Sequence, residues 1–353
     1  MLQYIFINYS LVLHKIFKRG IIGTGMTVNI GVIGVGLMGR FHALTLSRKV
    51  DGARLIGVAD SNRRVAEQVA SETHTTAYDD YAKLLENKDL DAVVIAVPTA
   101  FKPDIIKAAM SLGKHVFVEK PLALDLKNAN EIVDLSKKRK VWIQVGYQRR
   151  FDSLYKKIKN YMDSGEIGDL IYIMSVTRDP PLPNPGVNVE ISGGIFLDTS
   201  SHDYDTIRWL ANAEARSVMA QGSRIVGQGD YDVTTTTIML SNNAMAYVDA
   251  CRFSAYGYDT RVEILGTKGS ILVTPVSSSR SNDMIMIKKQ DKYEWFIERF
   301  GEAYEEEIRA FIDSVRNDKQ PLVTAEDGKA ALEIALAAKL SMQNKKAVDL
   351  PLG

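Results

Sequence analysis

The chain has 353 residues, of which 46% are apolar and 25% are charged, and 44 basic against 43 acidic side chains give a net charge of +1. This length is typical of two domains, and the near-zero charge argues against a protein that binds nucleic acid or an anionic membrane. The one cysteine, Cys251, excludes an internal disulfide and a cysteine-built metal site, so we expect a cytoplasmic protein.

The first 25 residues contain an apolar stretch that Asn8, Ser10 and His14 interrupt. This stretch is too short and too polar to span a bilayer. Its basic residues follow the apolar part, whereas those of a secretory signal precede it. We therefore expect residues 1–25 to be an extension outside the fold, with a peripheral amphipathic anchor as the alternative.

Short apolar runs and amphipathic stretches alternate between residues 28 and 145. The apolar runs are NIGVIGVG, ARLIGVAD, DAVVIAV, HVFVEK and VWIQVGY, and the helical patterns include RRVAEQVASE, DIIKAAMSLG and LKNANEIVDLSKK. Alternation at this spacing is typical of an α/β fold with a doubly wound parallel sheet.

Beyond residue 168 the strand-like runs follow one another directly. They are DLIYIMSVTRD, ARSVMAQGSRIV, DVTTTTIML, AMAYVDACRF, TRVEILG and GSILVTP. Short turns between most of them predict a large, mainly antiparallel and open-faced sheet, and the proline-rich residues 180–186 predict a loop. With two closing helices, EEIRAFIDSVRN and AEDGKAALEIALAAKLSMQ, residues 150–353 are predicted to form a second, α+β domain.

A glycine loop follows the first predicted strand. Gly34, Gly36 and Gly39, with Leu37 and Met38 between them, fit the pattern G-x-G-x-x-G and open a helix. The glycines permit a tight turn and a close approach of a pyrophosphate to the helix N-terminus, where free N–H groups and the dipole favour anions. Residues 26–149 are therefore predicted to be a dinucleotide-binding Rossmann domain.

Asp60 ends the next predicted strand, 21 residues beyond Gly39. A carboxylate there can accept hydrogen bonds from both ribose hydroxyls of NAD and would repel the 2′-phosphate of NADP. Arg63 and Arg64 soften this preference. The alternative is a glycine-rich turn of another α/β protein, with Asp60 as a helix cap.

Two further loops follow buried strands, at the sheet edge where open α/β sheets bind ligands. Pro98 and Thr99, in VPTAFKPD, are expected along the nicotinamide side, or else form a plain loop in which Pro98 ends the strand. Glu119, Lys120 and Pro121 follow the strand HVFVE. An ammonium at Lys120 can polarise a substrate hydroxyl and stabilise alkoxide character; the alternative is a surface lysine before a turn.

Asp198 and His202 stand four residues apart in LDTSSHDYDTIRWL, so one helix would present both on the same face. The positive end of that helix would keep the imidazole neutral and able to accept a proton, and Asp198 would orient the ring. The alternatives are a capping cluster with a solvent-facing His202, or metal ligation by the set Asp198, His202, Asp203 and Asp205.

Four segments together resemble the family of glucose–fructose oxidoreductase and inositol dehydrogenase, over residues 28–351. They are GVIGVGLMGRFHA, VEKPLA, GYQRRFD and the D-x-x-x-H-D pattern of LDTSSHDYDTIRWL. The resemblance implies that Lys120, Asp198 and His202 are catalytic and that the Lys120–Pro121 bond is cis. It also implies cofactor contacts from Glu119 and Gln148.

Finer segments resemble the inositol-oxidising members of that family: TRDPPLPNP, SGGIFLDTSSHDYD, AYGYDTRVEILGTKG and ERFGEAYEEEIRAFIDSV. This implies NAD-dependent oxidation of myo-inositol to 2-keto-myo-inositol, with His202 as the base, in a homotetramer packed through the second sheet. Ring hydroxyls would be held by Arg149, Thr199, Tyr258 and Tyr304. Individually, these four fit structural roles: a surface ion pair, a cap, sheet packing and helix core.

The sequence also departs from the family pattern. Lys102 stands where the family commonly has histidine, and GVNVEI before Ser192 lacks the usual tyrosine and lysine. These departures leave open which polyol is the substrate: myo-inositol, scyllo-inositol, another cyclitol or a hexose. A non-catalytic, NAD-binding regulator on the same scaffold is the alternative from a different class.

Overall fold

The computed structural model describes residues 27–181, 189–226, 229–273 and 295–353. The extension predicted at 1–25 lies outside these residues, as does most of the loop predicted at 180–186. Within the described ranges, no helix is both long and apolar enough to cross a bilayer.

The first sheet has six parallel strands in the order β3-β2-β1-β4-β5-β6. They are β1 (Val28–Ile33), β2 (Ala53–Ala59), β3 (Thr76–Tyr78), β4 (Ala92–Ile95), β5 (His115–Glu119) and β6 (Ile143–Gly146). The doubly wound fold is confirmed, and five of the strands coincide with the predicted apolar runs. The strand order reverses between β1 and β4, which places a ligand-binding crevice at their carboxyl ends.

Helices connect the parallel strands, and side chains cap several of them. They are α1 (Leu37–Arg48), α2 (Arg63–Thr73), α3 (Tyr81–Leu85), α4 (Lys102–Ser111) and α5 (Leu126–Arg139), with 3₁₀ turns at Thr99–Phe101 and Gln148–Phe151. Asn62, Asp80 and Asp125 each accept a hydrogen bond from a backbone N–H in the first turn of their helix. Each such cap contributes about 1 kcal/mol.

The second sheet has seven strands in the order β12-β11-β7-β10-β9-β8-β13. They are β7 (Leu170–Arg178), β8 (Ala215–Ser223), β9 (Val233–Leu240), β10 (Met245–Cys251), β11 (Asp259–Gly266), β12 (Ser270–Val273) and β13 (Val348–Asp349). Every pair is antiparallel except β7 with β10, which run parallel. The mainly antiparallel sheet is therefore confirmed.

The two faces of this sheet differ. The helices of the second half are α6 (Ser153–Asp163), α7 (Val189–Ser192), α8 (Gly194–Asp198), α9 (Ser201–Ala211), α10 (Phe296–Arg316) and α11 (Ala325–Asn344). One face of the sheet packs against α9 and α11. On the other face Met245 and Leu265 are exposed directly opposite Tyr172. The exposed Leu272 lies opposite Glu263, two residues before Leu265 and on the same face. This open apolar face is the kind of surface that mediates protein association.

Helix α10 covers one face of the first sheet, although it belongs to the second half of the sequence. Ile308, Phe311 and Ile312 are completely buried in one core cluster with β1 residues such as Ile30. The ring of Phe311 lies 5.9 Å from that of Phe117 in β5. The sheets change between β6 and β7, so we retain 26–149 and 150–353 as the proposed domains, with α10 crossing between them.

We predict that Ile308→Ala will lower the free energy of unfolding by about 2–5 kcal/mol, because it leaves a cavity between α10 and the first sheet. Urea unfolding followed by circular dichroism measures this loss. The matched control is Ile225→Ala, at a side chain that is 78% exposed, and its expected cost is below about 0.5 kcal/mol. Equal losses in the two variants would show that α10 contributes no core to the first sheet.

Candidate active site

A cavity of about 1040 Å³ lies at the carboxyl ends of the first sheet. The segments that follow β1, β2, β3, β4 and β5 form its walls, together with Ile191 and Ser192 of α7. The predicted site residues that line it are Gly34, Gly36, Met38, Asp60, Pro98, Thr99, Glu119, Lys120 and Asp198. Its position at the switch point is where doubly wound sheets bind nucleotides.

The glycine loop has the geometry that a pyrophosphate requires. Gly34 has φ of +81°, and a Cβ there would lie 2.7 Å from Val97 Cγ1. A Cβ on Gly39 would lie 1.7 Å from the carbonyl oxygen of Gly34, so α1 can approach the loop only with glycine at this position. No side chain caps α1 at Gly36, where the space around the missing Cβ is open. The helix N-terminus is therefore free to bind an anion.

Asp60 joins the glycine loop to the end of β2. Its Oδ2 accepts a hydrogen bond from the Val35 N–H at 2.9 Å, and its Oδ1 accepts one from the Asn62 N–H at 2.9 Å. Each carboxylate oxygen keeps a second lone pair for a ribose hydroxyl. Two other predicted cofactor contacts do not line the cavity: Arg64 is exposed on α2, and Leu37, the first residue of α1, is 61% exposed.

A smaller cavity of about 230 Å³ adjoins the first and shares Met38, Glu119, Lys120 and Asp198 with it. The other predicted site residues along its wall are Gln148, Thr199, His202, Tyr258 and Tyr304. Burial raises the pKa values of Tyr258 and Tyr304, so both stay protonated phenols that can donate hydrogen bonds. The Oε1 atom of Gln148 is buried without a partner and can accept a hydrogen bond from a ligand.

Lys120 and Asp198 meet where the two cavities join. The Lys120–Pro121 peptide bond is cis, as the family resemblance implies. Lys120 Nζ donates to the backbone oxygen of Asp198 at 2.9 Å and to its Oδ1 at 3.0 Å, and Arg252 donates to Oδ2 at 3.1 Å. Burial alone would raise the pKa of Asp198, but the positive charges of Lys120 and Arg252 outweigh it and lower that pKa.

Asp198 and His202 do not share one helix, so this prediction is wrong. Asp198 ends α8, and α9 begins at Ser201 after Ser200, whose side chain makes no capping hydrogen bond. Both carboxylate oxygens of Asp198 accept from Lys120 and Arg252, and none of the hydrogen bonds of the described residues joins Asp198 to the imidazole. Asp198 thus orients the ammonium of Lys120 and leaves the ring of His202 to other contacts.

His202 faces the smaller cavity as a neutral imidazole. Its ring packs edge-on against Tyr147 at 5.9 Å, and its Nδ1 is buried without a hydrogen-bond partner. Burial first, then the charges of Lys120 and Arg149, lower the pKa of His202 well below its usual value. The lowered pKa favours the predicted neutral imidazole, with burial as its main cause.

Arg149 lies behind the cavity wall. It is 1% exposed, and it donates to Asp203 Oδ1 at 2.7 Å and to Thr177 Oγ1 at 2.8 Å. It is therefore neither a surface ion pair nor a lining residue, and it holds Thr177, which does line the cavity. Asp205 is likewise occupied by Arg150, with Nε and Oδ2 2.9 Å apart. The residues that the sequence suggested as metal ligands therefore contact different partners: Asp198 contacts Lys120, Asp203 contacts Arg149 and Asp205 contacts Arg150.

Three polar residues of the smaller cavity were not predicted: Thr177, Asp179 and Arg252. Thr199 Oγ1 donates to Asp179 Oδ2 at 3.3 Å and accepts from Arg252 Nε at 3.1 Å. Burial raises the pKa of Asp179 to about 6, an effect that Arg252 opposes. The available signal was that Asp179 and Arg252 each follow a strand, but only the parallel pairing of β7 and β10 makes them neighbours.

Family models match both halves of the chain. Residues 28–147 match the oxidoreductase family, NAD-binding Rossmann fold, and residues 159–350 match the oxidoreductase family, C-terminal alpha/beta domain. These matches confirm the predicted resemblance.

Individual proteins agree with the family models. The chain is 39% identical to scyllo-inositol 2-dehydrogenase (NAD(+)) of Bacillus subtilis, over 92% of this chain and 96% of that protein. It is 34% identical to myo-inositol 2-dehydrogenase of Thermotoga maritima, over 92% and 98%. The structure of scyllo-inositol dehydrogenase from Lactobacillus casei, with bound NAD(H) and scyllo-inositol, superimposes with a TM-score of 0.82 at 30% identity, over 92% and 99%.

The glycine loop, Asp60 and the open helix N-terminus fit NAD, and the adjoining smaller cavity, which polar and aromatic side chains line, has room for a small hydroxylated substrate. The chain therefore belongs to this oxidoreductase family and is an NAD-dependent oxidoreductase acting on CH–OH groups.

Proposed function

We propose that the protein is an inositol dehydrogenase that oxidises myo-inositol to 2-keto-myo-inositol with NAD. The convergence of Lys120, Asp198 and His202 on the wall of the smaller cavity carries this proposal. The smaller cavity is lined by hydroxyl, carboxylate and guanidinium groups, which suit a ring that bears a hydroxyl on every carbon. The inositol dehydrogenases among the relatives support this substrate class.

Each polar group at the junction has a proposed role. His202 is neutral and accepts the proton of the reacting hydroxyl on a ring nitrogen. Lys120, held by Asp198, donates a hydrogen bond to the same oxygen and stabilises its developing negative charge. When bound, NAD accepts the hydride that leaves the ring carbon. The proton and the hydride thus leave the same CH–OH group in different directions.

Contacts to the remaining ring hydroxyls are assigned to Asp179, Thr199, Tyr258 and Tyr304. We leave Arg149 out, because its Nη atoms are occupied by Asp203 and Thr177. In the larger cavity, the start of α1 would hold the pyrophosphate and Asp60 the ribose.

scyllo-Inositol is the second candidate substrate. The 39% identical relative is named for it, and oxidation of either epimer at carbon 2 gives the same ketone. The two substrates differ in one hydroxyl, axial or equatorial, so the contacts around that position decide the preference.

We further propose that the protein is a cytoplasmic homotetramer. The support is the exposed apolar face of the second sheet, with Met245, Leu265 and Leu272, and the single partly buried cysteine. A protein with such a face usually covers it with a partner.

The proposed function is tested by mixing the protein with NAD and a panel of cyclitols and hexoses, and by following the absorbance of NADH. We predict turnover with myo-inositol or scyllo-inositol, and a loss of kcat of about 10²- to 10⁴-fold in His202→Gln, because the proton acceptor is removed. The dissociation constant for NAD should stay unchanged in this variant. NAD binding without turnover on any member of the panel would instead identify a regulator.

Replacing Asp60 tests the cofactor site separately. We predict that Asp60→Ser will weaken NAD binding by about 10-fold or more and will raise the relative affinity for NADP, since the carboxylate that binds the ribose and repels a 2′-phosphate is gone. Fluorescence titration with each cofactor measures both effects. The control is Asp51→Ser, an exposed aspartate outside the cavity. An unchanged preference in Asp60→Ser would rule out this ribose contact.

The raised pKa of Asp179 leads to a prediction about how kcat/KM depends on pH. If its carboxylate accepts a ring hydroxyl, kcat/KM for the cyclitol falls as the pH drops through about 6, where Asp179 becomes protonated. The fall in rate that protonation of His202 would cause lies at a lower pH, because the pKa of His202 is lowered well below its usual value. We expect Asp179→Asn to remove the limb near pH 6 and to raise KM by about 10-fold. A limb that persists in this variant would assign the ionisation to another group.

A further inference from the structure

A second lysine lies directly beneath the turn that carries Lys120. Lys102 begins α4, after the loop that follows β4, and it is 2% exposed. Its Nζ donates to three consecutive backbone oxygens, those of Glu119 at 2.7 Å, Lys120 at 2.8 Å and Pro121 at 3.1 Å. An ammonium has three N–H bonds, and here three carbonyl oxygens lie within hydrogen-bond distance of it.

The charge of Lys102 is buried, and three backbone oxygens hold it in place. The pKa of Lys102 is lowered to about 7, mainly by burial; Glu119 and Asp198 oppose this effect, and the charge of Lys120 adds to it. A lysine is seldom buried this completely without bonds that satisfy its ammonium. The three carbonyl bonds supply them, and none of the described carboxylates pairs directly with Nζ.

The carbonyls that Lys102 holds belong to the residues before, at and after the side chain that reaches Asp198. Lys120 extends from this turn to its 3.0 Å contact with Asp198 Oδ1. A rotation of the turn would therefore move the Lys120 ammonium relative to the reacting hydroxyl. A misplacement of about 1 Å at a reacting group can cost about 100-fold in rate.

We propose that Lys102 is a positioning residue that fixes the backbone of the Glu119–Pro121 turn and so places the Lys120 ammonium for alcohol oxidation. The role in turnover rests on the proposed function. The placement of Lys120 itself does not, and it can be measured without a substrate.

The kinetic test compares Lys102→Met with Lys107→Met. Lys107 lies on the same helix, and its Nζ pairs with Glu131 at 3.0 Å outside both cavities. For Lys102→Met we expect kcat to fall about 10- to 100-fold, the NAD dissociation constant to stay within about threefold of the wild type, and the deuterium isotope effect on kcat to rise with substrate labelled at the oxidised carbon. Lys107→Met should leave all three unchanged. An unchanged kcat in Lys102→Met, or a loss confined to NAD affinity, would overturn the proposal.

The structural test uses reductive methylation of the NAD-free protein, with the modified lysines counted by mass spectrometry. Lys120 is held against Asp198, with its side chain 19% exposed. We expect Lys120 to be methylated several-fold faster in Lys102→Met than in the wild type, and at the wild-type rate in Lys107→Met. Equal rates in Lys102→Met and the wild type would refute the positioning role even if no cyclitol is oxidised. Faster methylation with no turnover by the wild type would retain it and reject the proposed function.

Lys102→Arg covers the case in which the methionine variant does not fold. Arginine keeps the charge and the N–H donors but has a planar fork in place of a compact ammonium. We expect the kcat of Lys102→Arg and its Lys120 methylation rate to lie between the values of the wild type and of Lys102→Met. If only the arginine variant folds, we expect a lower kcat and faster Lys120 methylation than in the wild type. If Lys102→Met does not fold, and a folded Lys102→Arg has the wild-type kcat and the wild-type rate of Lys120 methylation, the proposed positioning role of the Lys102 ammonium is refuted.

Discussion

The site depends on one carboxylate that bridges two cations. Asp198 receives Lys120 from the end of β5 and Arg252 from the end of β10, so a single side chain joins the edges of both sheets. Asp230 pairs with the opposite side of Arg252, and the four groups together carry no net charge. Arg252 and Asp230 are largely buried, and buried charges persist only when they are paired, because an unpaired one costs several kcal/mol. The pairing therefore sets where the two cavities meet.

Much of the fold follows from local sequence patterns. Apolar runs of four to seven residues identify β1, β2, β4, β5 and β6, because buried parallel strands must be apolar on both faces. The three-residue strand β3 offers no such run. The position of α10 could not be predicted, for another reason. Its sequence shows that one side of the helix is apolar, but it does not show that this side covers the first sheet.

The candidate active site, like the fold, could be predicted only in part from local sequence. The glycine loop and Lys120 could be predicted, because the end of a parallel strand is a ligand-binding edge whatever the rest of the chain does. The spacing of Asp198 and His202 suggested one helix, although Ser200, a residue type that favours the N-cap, was a local signal that a helix could begin at Ser201. Asp179 and Arg252 become neighbours only through the pairing of β7 with β10, which joins segments about seventy residues apart.

The crossing of α10 has a consequence for synthesis on the ribosome. The first six strands emerge before any residue of α10 has been made, since translation runs from the N-terminus. Until then, the apolar side of β1 is covered only by residues of its own half such as Leu46 and Val69, and the part that Ile308 and Phe311 finally cover is left open. From the completion of β6 until α10 has been made, the nascent chain therefore carries an open apolar surface that favours aggregation.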